Sequence, residues 1–359
     1  MKVVYDHQIF SQQVYGGVSR YFFEVAKRIA TFEGYDAEIL SPLFVNEYLK
    51  DEPSLKVWGI HVNQMPRPRR IAQRLIDGLV QWKLHREPPN ILHETYYAPR
   101  TTSSRIPRVT TIHDMTYELF PQYFAGHDAT PELKRRAIQR AERIIVVSHS
   151  TKRDLIEILN VPENKVDVIY HGNSLTQIPG PSVVPEPYLL YVGSRSGYKN
   201  FELALEAYGC SPRLHKDFLL VCFGGGPFTR DESILIRSKG LVGRVVFDSG
   251  SDEKLSSLYH HAEVFLHPSL YEGFGLSILE AMHYGCPVVC GNISSMPEVA
   301  GEAGAYFDTK SSESFISRIE SLAYDSTERK KYSELGIEQE SRFSWDRCAR
   351  QTAETYRSI

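Results

Sequence analysis

Short apolar runs alternate with helical patterns along the whole of this sequence, and this alternation limits the fold more than any other feature. Runs such as "RIIVVSHS", "YLLYVGS" and "FLLVCFGG" are continuously apolar instead of alternating between apolar and polar residues. Strands of that kind are buried on both faces of a sheet, and strands separated by helices pair in parallel as βαβ units. The sequence therefore predicts an α/β fold built on doubly wound parallel sheets.

Many of the predicted strands end in Gly, Ser, His or Asp, so polar groups collect at one edge of each sheet. Open α/β sheets bind their ligands at the carboxyl ends of the strands. The functional residues are therefore expected in the segments that directly follow strands.

A proline-rich segment separates two series of strands and helices. Residues 172–188, "GNSLTQIPGPSVVPEPY", contain four prolines and two glycines, which continue neither a helix nor a strand. The 359 residues are enough for two domains of ordinary size. We predict a first domain over residues 1–175, a second over 176–341, and a C-terminal helix over 342–359 that is capped by Ser344.

Composition narrows the class of protein. Apolar residues make up 42% of the chain, and the formal net charge of −3 gives no electrostatic reason to expect nucleic acid as a partner. The five cysteines are odd in number and have no metal-binding spacing, so reduced thiols in a cytoplasmic protein are expected. The start has no apolar signal-peptide core, and no run reaches the roughly 18 apolar residues of a membrane span, so a soluble protein is expected.

One basic stretch, "MPRPRRIAQRLIDGLVQWKLHR" at residues 65–86, has two interpretations. Contact with a membrane surface is one, because basic amphipathic helices bind anionic interfaces. A solvated helix face is the other, and from sequence it is the preferred one. Peripheral contact with the inner face of a membrane stays open as the alternative.

The segment "LYEGFGLSILEAMHYG", residues 270–285, carries the most informative local pattern. It follows the predicted strand "VFLHPS", and the two glycines of "GFG" argue against a continuous helix through its first half. We predict a loop that contains Glu272, followed by a helix that carries Glu280 and ends at Gly285.

A glycine-bearing loop at the start of a helix lets backbone N–H groups approach an anion at the positive end of that helix. Carboxylates beside such a loop accept hydrogen bonds from sugar hydroxyls. Two glutamates at a fixed spacing are common, however, and the pair alone also fits a solvated loop or the acid and base of a glycoside hydrolase. The whole string is far more specific than the pair.

The longer string "HPSLYEGFGLSILEAMHYGCPVVCGNISSMPEVAGEAGAYFD" closely resembles the nucleotide-binding segment of family-4 retaining glycosyltransferases of GT-B fold. The resemblance extends over most of the chain, through "GGVSRYFFEVAKRIA", "TIHDMTYELFP", "YVGSRSGYKNFELALEAY" and "FSWDRCARQTAETYR". It implies two Rossmann-like, doubly wound domains that face each other across a cleft. It also implies a C-terminal helix that crosses back to the first domain.

In the second domain the resemblance implies the donor site. Glu280 matches the glutamate that holds the ribose hydroxyls of the donor, and Glu272 matches the one near the 3- and 4-hydroxyls of the transferred sugar. Lys199 matches the lysine that neutralises the departing diphosphate. The backbone amides expected to meet the sugar and pyrophosphate are those of Gly273, Phe274, Gly275 and Leu276.

Arg195 departs from the family pattern. Relatives often carry arginine directly after the strand-ending glycine or directly before the lysine, where this sequence has Ser194 and Tyr198. Arg195 either supplies the second cation from a shifted position, next to the donor-site residue Ser194, or is a solvated loop charge. The sequence leaves both open.

In the first domain, Gly16 and Gly17 precede a helix that is expected to begin near Ser19. The resemblance places their backbone beside the diphosphate, as a glycine turn before a helix allows. His113 and Asp114 follow the strand "RVTTI". The resemblance makes both of them donor-contacting residues, with His113 at the sugar's 6-hydroxyl and beside the reacting carbon.

The resemblance implies a retaining hexosyltransferase that uses neither metal nor cofactor and acts in polysaccharide or glycolipid synthesis. No Asp-x-Asp metal string is apparent, so lysine, arginine and a helix N-terminus would stabilise the leaving diphosphate. The expected donor is a nucleotide sugar, with UDP-glucose or a similar UDP-hexose favoured, and the expected acceptor is a saccharide or lipid-linked saccharide. A protein of this fold that binds nucleotide without transferring sugar is the remaining alternative.

Overall fold

The protein folds into two compact units. Unit 1 comprises Met1–Gly172 together with Ser344–Ile359, and unit 2 comprises Asn173–Phe343. The structure, a computed structural model, describes residues 1–50, 52–98, 105–126, 128–195 and 197–359.

Unit 1 alternates strands with helices. Up to the linker its elements are β1 (Lys2–Tyr5), α1 (Gly17–Ile29), β2 (Asp36–Phe44), β3 (Lys56–His61), α2 (Arg69–Arg86), β4 (Ile91–Glu94), β5 (Arg108–Ile112), α3 (Thr116–Leu119), α4 (Thr130–Arg140), β6 (Arg143–Val146), α5 (His149–Leu159) and β7 (Val166–Val168).

The seven strands described in unit 1 form one sheet in the order β3-β2-β1-β4-β5-β6-β7, and every pair is parallel. The order reverses at β1, which pairs with β2 on one side and with β4 on the other. In doubly wound sheets the ligand crevice lies at such a reversal, outside the carboxyl ends of the central strands. The segments that follow β1 and β4 are therefore the natural binding edge of unit 1.

Both faces of this sheet are buried. Val3 and Tyr5 of β1 belong to a core that also contains Tyr21 of α1, whereas Val4 belongs to a second core with Ile76 of α2. Side chains alternate between the two faces along a strand, so a sheet with apolar residues at every position needs a helical layer on each side. The α/β architecture predicted from the continuously apolar runs is confirmed.

Unit 2 repeats the scheme. Its elements are β8 (Tyr188–Val192), α6 (Phe201–Cys210), α7 (Pro212–Asp217), β9 (Leu219–Phe223), α8 (Arg230–Ser238), β10 (Val245–Asp248), α9 (Asp252–His261), β11 (Val264–His267), α10 (Leu276–His283), β12 (Val288–Gly291), α11 (Met296–Ala300), β13 (Gly304–Phe307), α12 (Ser312–Tyr324) and α13 (Ser326–Glu340).

The six strands described in unit 2 are all parallel and follow the order β10-β9-β8-β11-β12-β13. The reversal lies between β8 and β11, which pair directly through Val264 and Leu189. Leu189 and Val264 lie in a core that is closed by helices α6 and α12, through residues such as Leu205 and Phe315. The binding edge of unit 2 is therefore expected in the segments that follow β8 and β11.

The last helix, α14 (Trp345–Arg357), belongs to unit 1 although it follows unit 2 in the chain. Ser344 caps it by accepting a hydrogen bond from the backbone N–H of Arg347, as the sequence predicts. Tyr356 Oη lies 3.1 Å from Tyr5 Oη on the central strand of unit 1. These contacts fasten the C-terminal helix to the first sheet.

Candidate active site

The loops after β8 and β11 meet at the reversal of strand order in unit 2. The first runs from Gly193 through a short 3-10 turn, Gly197–Lys199, into α6. The second runs through Glu272 to the start of α10 at Leu276. Two segments that are far apart in the sequence therefore supply neighbouring side chains at this edge.

An ion pair joins the two loops. Lys199 Nζ donates to both carboxylate oxygens of Glu272, at 2.7 and 2.9 Å. Beside it, the backbone N–H of Leu270 donates to the carbonyl of Tyr198 at 2.8 Å, which ties one loop backbone to the other. The fold thus brings together two residues that the sequence assigns separately, one to the diphosphate and one to the sugar.

Glu272 is a largely buried carboxylate, with 12% of its side chain exposed. Burial raises its pKa, but Lys199 and His267 outweigh burial and hold the pKa of Glu272 well below its usual range. His267 Nε2 lies 3.3 Å from Glu272 Oε1, and Ser277 Oγ lies 3.4 Å from His267 Nδ1. Glu272 is therefore an anion at neutral pH, suited to accept hydrogen bonds from hydroxyl groups and unsuited to act as a proton donor.

Two serines hold the loop that carries Glu272. Ser294 Oγ donates to the carbonyl of Glu272 at 2.6 Å, and Ser295 Oγ contacts the carbonyls of Glu272 and Phe274 at 2.8 and 2.9 Å. Gly275 then has φ of 103°, in the left-handed region that favours glycine. The backbone turns there directly into α10, so a fixed loop leads to a helix N-terminus whose dipole favours an anion.

Glu280 projects from the middle of α10. Its carboxylate accepts a hydrogen bond from Tyr259 Oη at 3.1 Å. Burial, with Glu280 as a further cause, raises the pKa of Tyr259 well above its usual range, so this hydroxyl stays protonated and orients the carboxylate. The helix ends at His283, and Gly285 follows the C-cap residue with φ of 68°, as the glycine stop predicted from sequence requires.

One tyrosine ties both ends of the loop after β8 together. Tyr191 Oη lies 2.7 Å from the carbonyl of Ser194 and 3.5 Å from the carbonyl of Lys199. Burial raises the pKa of Tyr191 far above its usual range, so the hydroxyl acts as a donor. The backbone at Ser194 and Lys199 is therefore anchored to the carboxyl end of strand β8.

Arg195 is enclosed within unit 2. Its Nε donates to Glu232 Oε1 at 2.9 Å, and its terminal nitrogens donate to the carbonyls of Gly224 and Gly226 at 2.8 and 2.7 Å. The guanidinium carbon lies 4.9 Å from the centre of the Phe228 ring. Only 3% of the side chain is exposed, so the interpretation as a solvated loop charge is wrong. The role of Arg195 as a cation for the diphosphate stays a prediction. In that role its guanidinium would have to leave Glu232 and the glycine carbonyls and bind the phosphate instead.

The turn that Arg195 holds consists of three glycines, residues 224–226, which directly follow β9. All three have positive φ, at 80°, 70° and 80°. A Cβ on Gly225 would lie 2.6 Å from the carbonyl oxygen of Gly193, so the turn packs closely on the start of the loop after β8. Arg195 thereby fixes one loop of the binding edge against another.

In unit 1, α1 begins at Gly17, two residues earlier than the sequence predicts. Gly16 is its N-cap residue, and Gln13 Oε1 accepts a hydrogen bond from the backbone N–H of Ser19 at 3.2 Å. A Cβ on Gly16 would lie 2.3 Å from Gln13 Oε1, so the glycine makes room for this capping side chain. The helix starts as a tight glycine turn that is capped from outside.

His113 and Asp114 follow β5 directly, as the sequence predicts. The ring of His113 packs edge-on against Tyr21 of α1, with 5.1 Å between ring centres. Among the described residues, its buried Nε2 atom has no hydrogen-bond partner. Asp114 is held by its neighbours: its Oδ1 accepts a hydrogen bond from Thr116 N, and its carbonyl accepts one from Lys134 Nζ, both at 3.0 Å.

His113 is partly buried and belongs to a group of three histidines in unit 1 whose other members, His93 and His171, are buried. Burial lowers the pKa of His113 to about 4, that of His93 to about 3, and that of His171 well below its usual value. His171 stacks on Trp345 with 5.4 Å between ring centres, and its ring centre lies 6.0 Å from that of His113. All three rings are therefore neutral at pH 7, able to form hydrogen bonds but not to carry charge.

A polar cavity of about 350 Å³ lies beside the start of α2 in unit 1. Its lining combines amide side chains with aliphatic ones. The residues are Ser11, Gln12, Val14, Val45, Asn63, Gln64, Met65, Arg69, Ala72 and Gln73.

The sequence did not single out several residues that shape the site, namely His267, Ser294, Ser295 and Glu232. His267 is the last residue of β11 and the two serines follow β12, so the rule of polar strand ends could have found them. Glu232 carries only the local signal of a capping box with Thr229 at the start of α8. That signal predicts a helix start and says nothing of Arg195.

The strand order and the paired loops define the class of protein. HepE of Anabaena, solved with UDP and glucose, is similar to this chain at a TM-score of 0.77 and 18% identity over 100% of both chains. WaaG, a glycosyltransferase involved in lipopolysaccharide biosynthesis, is similar at a TM-score of 0.75 and 18% identity over 98% of both chains. The fold is that of the GT-B glycosyltransferases.

Family profiles account for nearly the whole sequence. The profile described as "Glycosyltransferase Family 4" matches residues 15–177, and the one described as "Glycosyl transferases group 1" matches residues 178–339. The chain belongs to the family-4 glycosyltransferases, and the resemblance drawn from its motifs is confirmed. O-antigen chain mannosyltransferase B of Escherichia coli is 28% identical to it, with 96% of each chain covered.

Replacing Arg195 with alanine is expected to destabilise unit 2 by about 2–4 kcal/mol, because Glu232 and two carbonyls lose their donor in a buried setting. Urea unfolding followed by far-UV circular dichroism measures the change. Arg342→Ala is the matched control, since Arg342 pairs with Glu338 at a site where 62% of its side chain is exposed. If Arg195→Ala lowers the free energy of unfolding by as little as the control does, the structural role of Arg195 is contradicted.

Lowering the pH is expected to destabilise unit 1 through its buried histidines. Their folded pKa values lie below the unfolded value of about 6.5, so their stabilising contribution is complete above that pH and is lost as the pH falls toward about 4. Between those pH values, each histidine adds about 1.4 kcal/mol per pH unit to the slope of the unfolding free energy against pH. Urea unfolding at a series of pH values should show a shallower slope for His171→Phe and an unchanged slope for the exposed His260→Phe. Identical slopes for His171→Phe and the unchanged protein would refute the assignment.

Proposed function

We propose that the protein transfers a hexose from a nucleoside diphosphate sugar to a hydroxyl group of a saccharide acceptor, with retention at the anomeric carbon. The observation that carries the proposal is the Lys199–Glu272 pair, set at the reversal of strand order and beside the fixed N-terminus of α10. A cation, an ionised carboxylate and a helix start are the groups that a sugar diphosphate requires.

The donor is proposed to lie along the loop from Glu272 to α10. Lys199 Nζ neutralises the diphosphate, and Glu272 accepts hydrogen bonds from the sugar's hydroxyls. Glu280, oriented by Tyr259, holds the ribose hydroxyls. The backbone at the sugar and pyrophosphate is that of Ser194 and of Gly273, Phe274, Gly275 and Leu276.

For unit 1 we propose that Gly16 and Gly17 approach the diphosphate through their backbone and that Asp114 helps to position the donor. His113 is proposed to bond a hydroxyl of the transferred sugar. Its lowered pKa supports this role, because a neutral imidazole exchanges hydrogen bonds with hydroxyls without adding charge beside the reacting carbon. Arg195 stays a predicted second cation, subject to the exchange of partners described above.

The chemistry follows from charge. Cleavage of the glycosyl–phosphate bond leaves negative charge on the diphosphate, so a fixed cation and a helix N-terminus lower the barrier. The acceptor hydroxyl is proposed to attack from the leaving-group side, with its proton passing to the departing phosphate oxygen. Glu272 is held ionised and cannot serve as the protonated acid that a glycoside hydrolase needs, which supports transfer over hydrolysis.

Two sugars have support as the donor. The E. coli relative that aligns over 96% of both chains is a mannosyltransferase, and this favours a mannosyl nucleotide. HepE, with 18% identity, was solved with UDP and glucose and supports the UDP-glucose expectation less directly. We propose mannose as the first candidate and glucose as the second.

The acceptor is proposed to be a saccharide or lipid-linked saccharide in polysaccharide synthesis, as the name of the O-antigen mannosyltransferase suggests. The amide-lined cavity beside α2 offers the paired donors and acceptors that sugar hydroxyls bind. A cytoplasmic location fits the five free cysteines.

Lys199→Ala is expected to lower kcat by ~10²–10³, the scale of losing one donor to a developing oxyanion. Release of nucleoside diphosphate from the donor in the presence of acceptor measures it. Lys330→Ala on α13, where 78% of the lysine side chain is exposed, is the matched control and should leave kcat unchanged. A kcat for Lys199→Ala within about threefold of the unchanged protein would remove Lys199 from this role.

A thermal-shift panel, run in parallel with and without EDTA, is expected to single out the donor. A ligand present at about 100 times its dissociation constant adds about 2.7 kcal/mol of stability, so the correct nucleotide sugar should raise the melting temperature by several degrees. GDP-mannose is expected to give the largest shift and UDP-glucose the next, with free mannose and glucose as controls. No shift with any nucleotide sugar, or a shift that EDTA abolishes, would contradict the proposed metal-independent donor site.

A further inference from the structure

Helix α2 exposes a stripe of large apolar side chains to solvent. Ile71, Leu75, Leu79 and Trp82 are 55%, 65%, 47% and 54% exposed. At about 100° per residue these four positions fall within roughly 80° of one another, on one side of the helix. We call them the outer face of α2.

The opposite side of α2 is the side that packs against the sheet. Ile76, Val80 and Leu84 belong to the core between α2 and the sheet. A helix that only covers a sheet is apolar on that side and polar on the other. Among the described residues of unit 1, the outer face takes no part in the apolar cores. It is exposed to solvent, as the favoured interpretation from sequence has it, but it is apolar.

Basic side chains surround the outer face. Residues 67–86 contain six arginines and lysines and one acidic residue, Asp77, in a chain whose net charge is −3. Asp77 is buried, with its Oδ1 at 3.1 Å from His7 Nε2. The exposed residues within α2 therefore include arginines and no carboxylate, whereas Lys83 pairs with Glu87, directly after the helix, at 2.7 Å. The basic residues are Arg67, which precedes the helix, and Arg69, Arg70, Arg74, Lys83 and Arg86.

We propose that the outer face of α2 docks on an anionic lipid bilayer, with Ile71, Leu75, Leu79 and Trp82 among the headgroups and upper acyl chains. Such a bilayer binds both kinds of side chain, because the apolar residues enter its hydrocarbon region and the arginines contact its negatively charged headgroups. Trp82, whose ring lies 5.6 Å from the guanidinium of Arg86, has the amphipathic character of an interfacial residue.

Other occupants fit less well. A second copy would bring two strongly basic faces together, and like charges at an interface oppose association. Nucleic acid would neutralise the arginines but would leave Leu75 and Leu79 in water. The helix lies on the surface instead of crossing: within the described ranges of the chain, no helix is both long enough and apolar enough to span a membrane.

Docking would also place the polar cavity of unit 1 near the lipid headgroups. Arg69, Ala72 and Gln73 on α2 line that cavity, on the same helix as the outer face. A lipid-linked saccharide would then present its sugar where amide side chains can bind it. This consequence rests on the proposed function, whereas docking itself does not.

Flotation of the full-length protein with vesicles tests the proposal. Vesicles of phosphatidylcholine mixed with phosphatidylglycerol should carry the protein, and vesicles of phosphatidylcholine alone should not. High salt should reduce the binding. The emission of Trp82 should shift to shorter wavelength on anionic vesicles, and Trp82→Phe should abolish that shift.

Paired variants separate the apolar and the electrostatic contributions. Leu75→Gln with Leu79→Gln is expected to lower the partition coefficient by about tenfold or more. Arg70→Gln with Arg74→Gln should lower it about fivefold for each arginine removed. The control, Ile234→Gln with Ile337→Gln, changes two side chains of unit 2 that are 55% and 52% exposed and should bind as the unchanged protein does.

Three results would overturn the proposal. One is equal binding to neutral and anionic vesicles, and another is full binding by the Leu75→Gln, Leu79→Gln variant with an unchanged circular dichroism spectrum. The third is self-association in sedimentation equilibrium that this variant abolishes, since a second copy would then cover the outer face. None of these results bears on the nucleotide-sugar panel, so docking and donor binding fail or stand separately.

Discussion

The ion pair between Lys199 and Glu272 is the contact on which the candidate site depends. Its two residues come from loops that follow neighbouring central strands, and their side chains are 24% and 12% exposed. Removing one partner would leave the other as an unpaired, partly desolvated charge, which is costly. The pair therefore both joins the loops and keeps a cation and an anion side by side, where a phosphate and a hydroxyl-rich sugar need them.

The position of this pair follows from the sheets. Continuously apolar strands require helices on both faces, and the strand order that results reverses once in each unit. The reversal leaves the carboxyl ends of β8 and β11 adjacent without a crossing connection. Strand burial, the glycine stop at Gly285 and the cap at Ser344 were predictable from sequence because they rest on local patterns, whereas the order of the strands was not predicted.

Pairings between distant loops were not predictable in the same way. Lys199 and Glu272 are separated by 73 positions, and Arg195 and Glu232 by 37. Sequence patterns identify strand ends but do not say which charged side chains across them will meet. Arg195 shows the consequence, because its guanidinium is bound by a carboxylate and by the glycine turn after β9. Helix α2 shows another limit, since apolar residues on two sides of a helix do not reveal which side packs on the sheet.

We propose that Lys199 recognises the second phosphate of the donor nucleotide. Calorimetric titration of the unchanged protein and of Lys199→Met with a nucleoside diphosphate and with the matching monophosphate tests it most directly. We expect the unchanged protein to bind the diphosphate more tightly, and Lys199→Met to lose this preference while its affinity for the monophosphate stays the same. An undiminished preference for the diphosphate in Lys199→Met would contradict it.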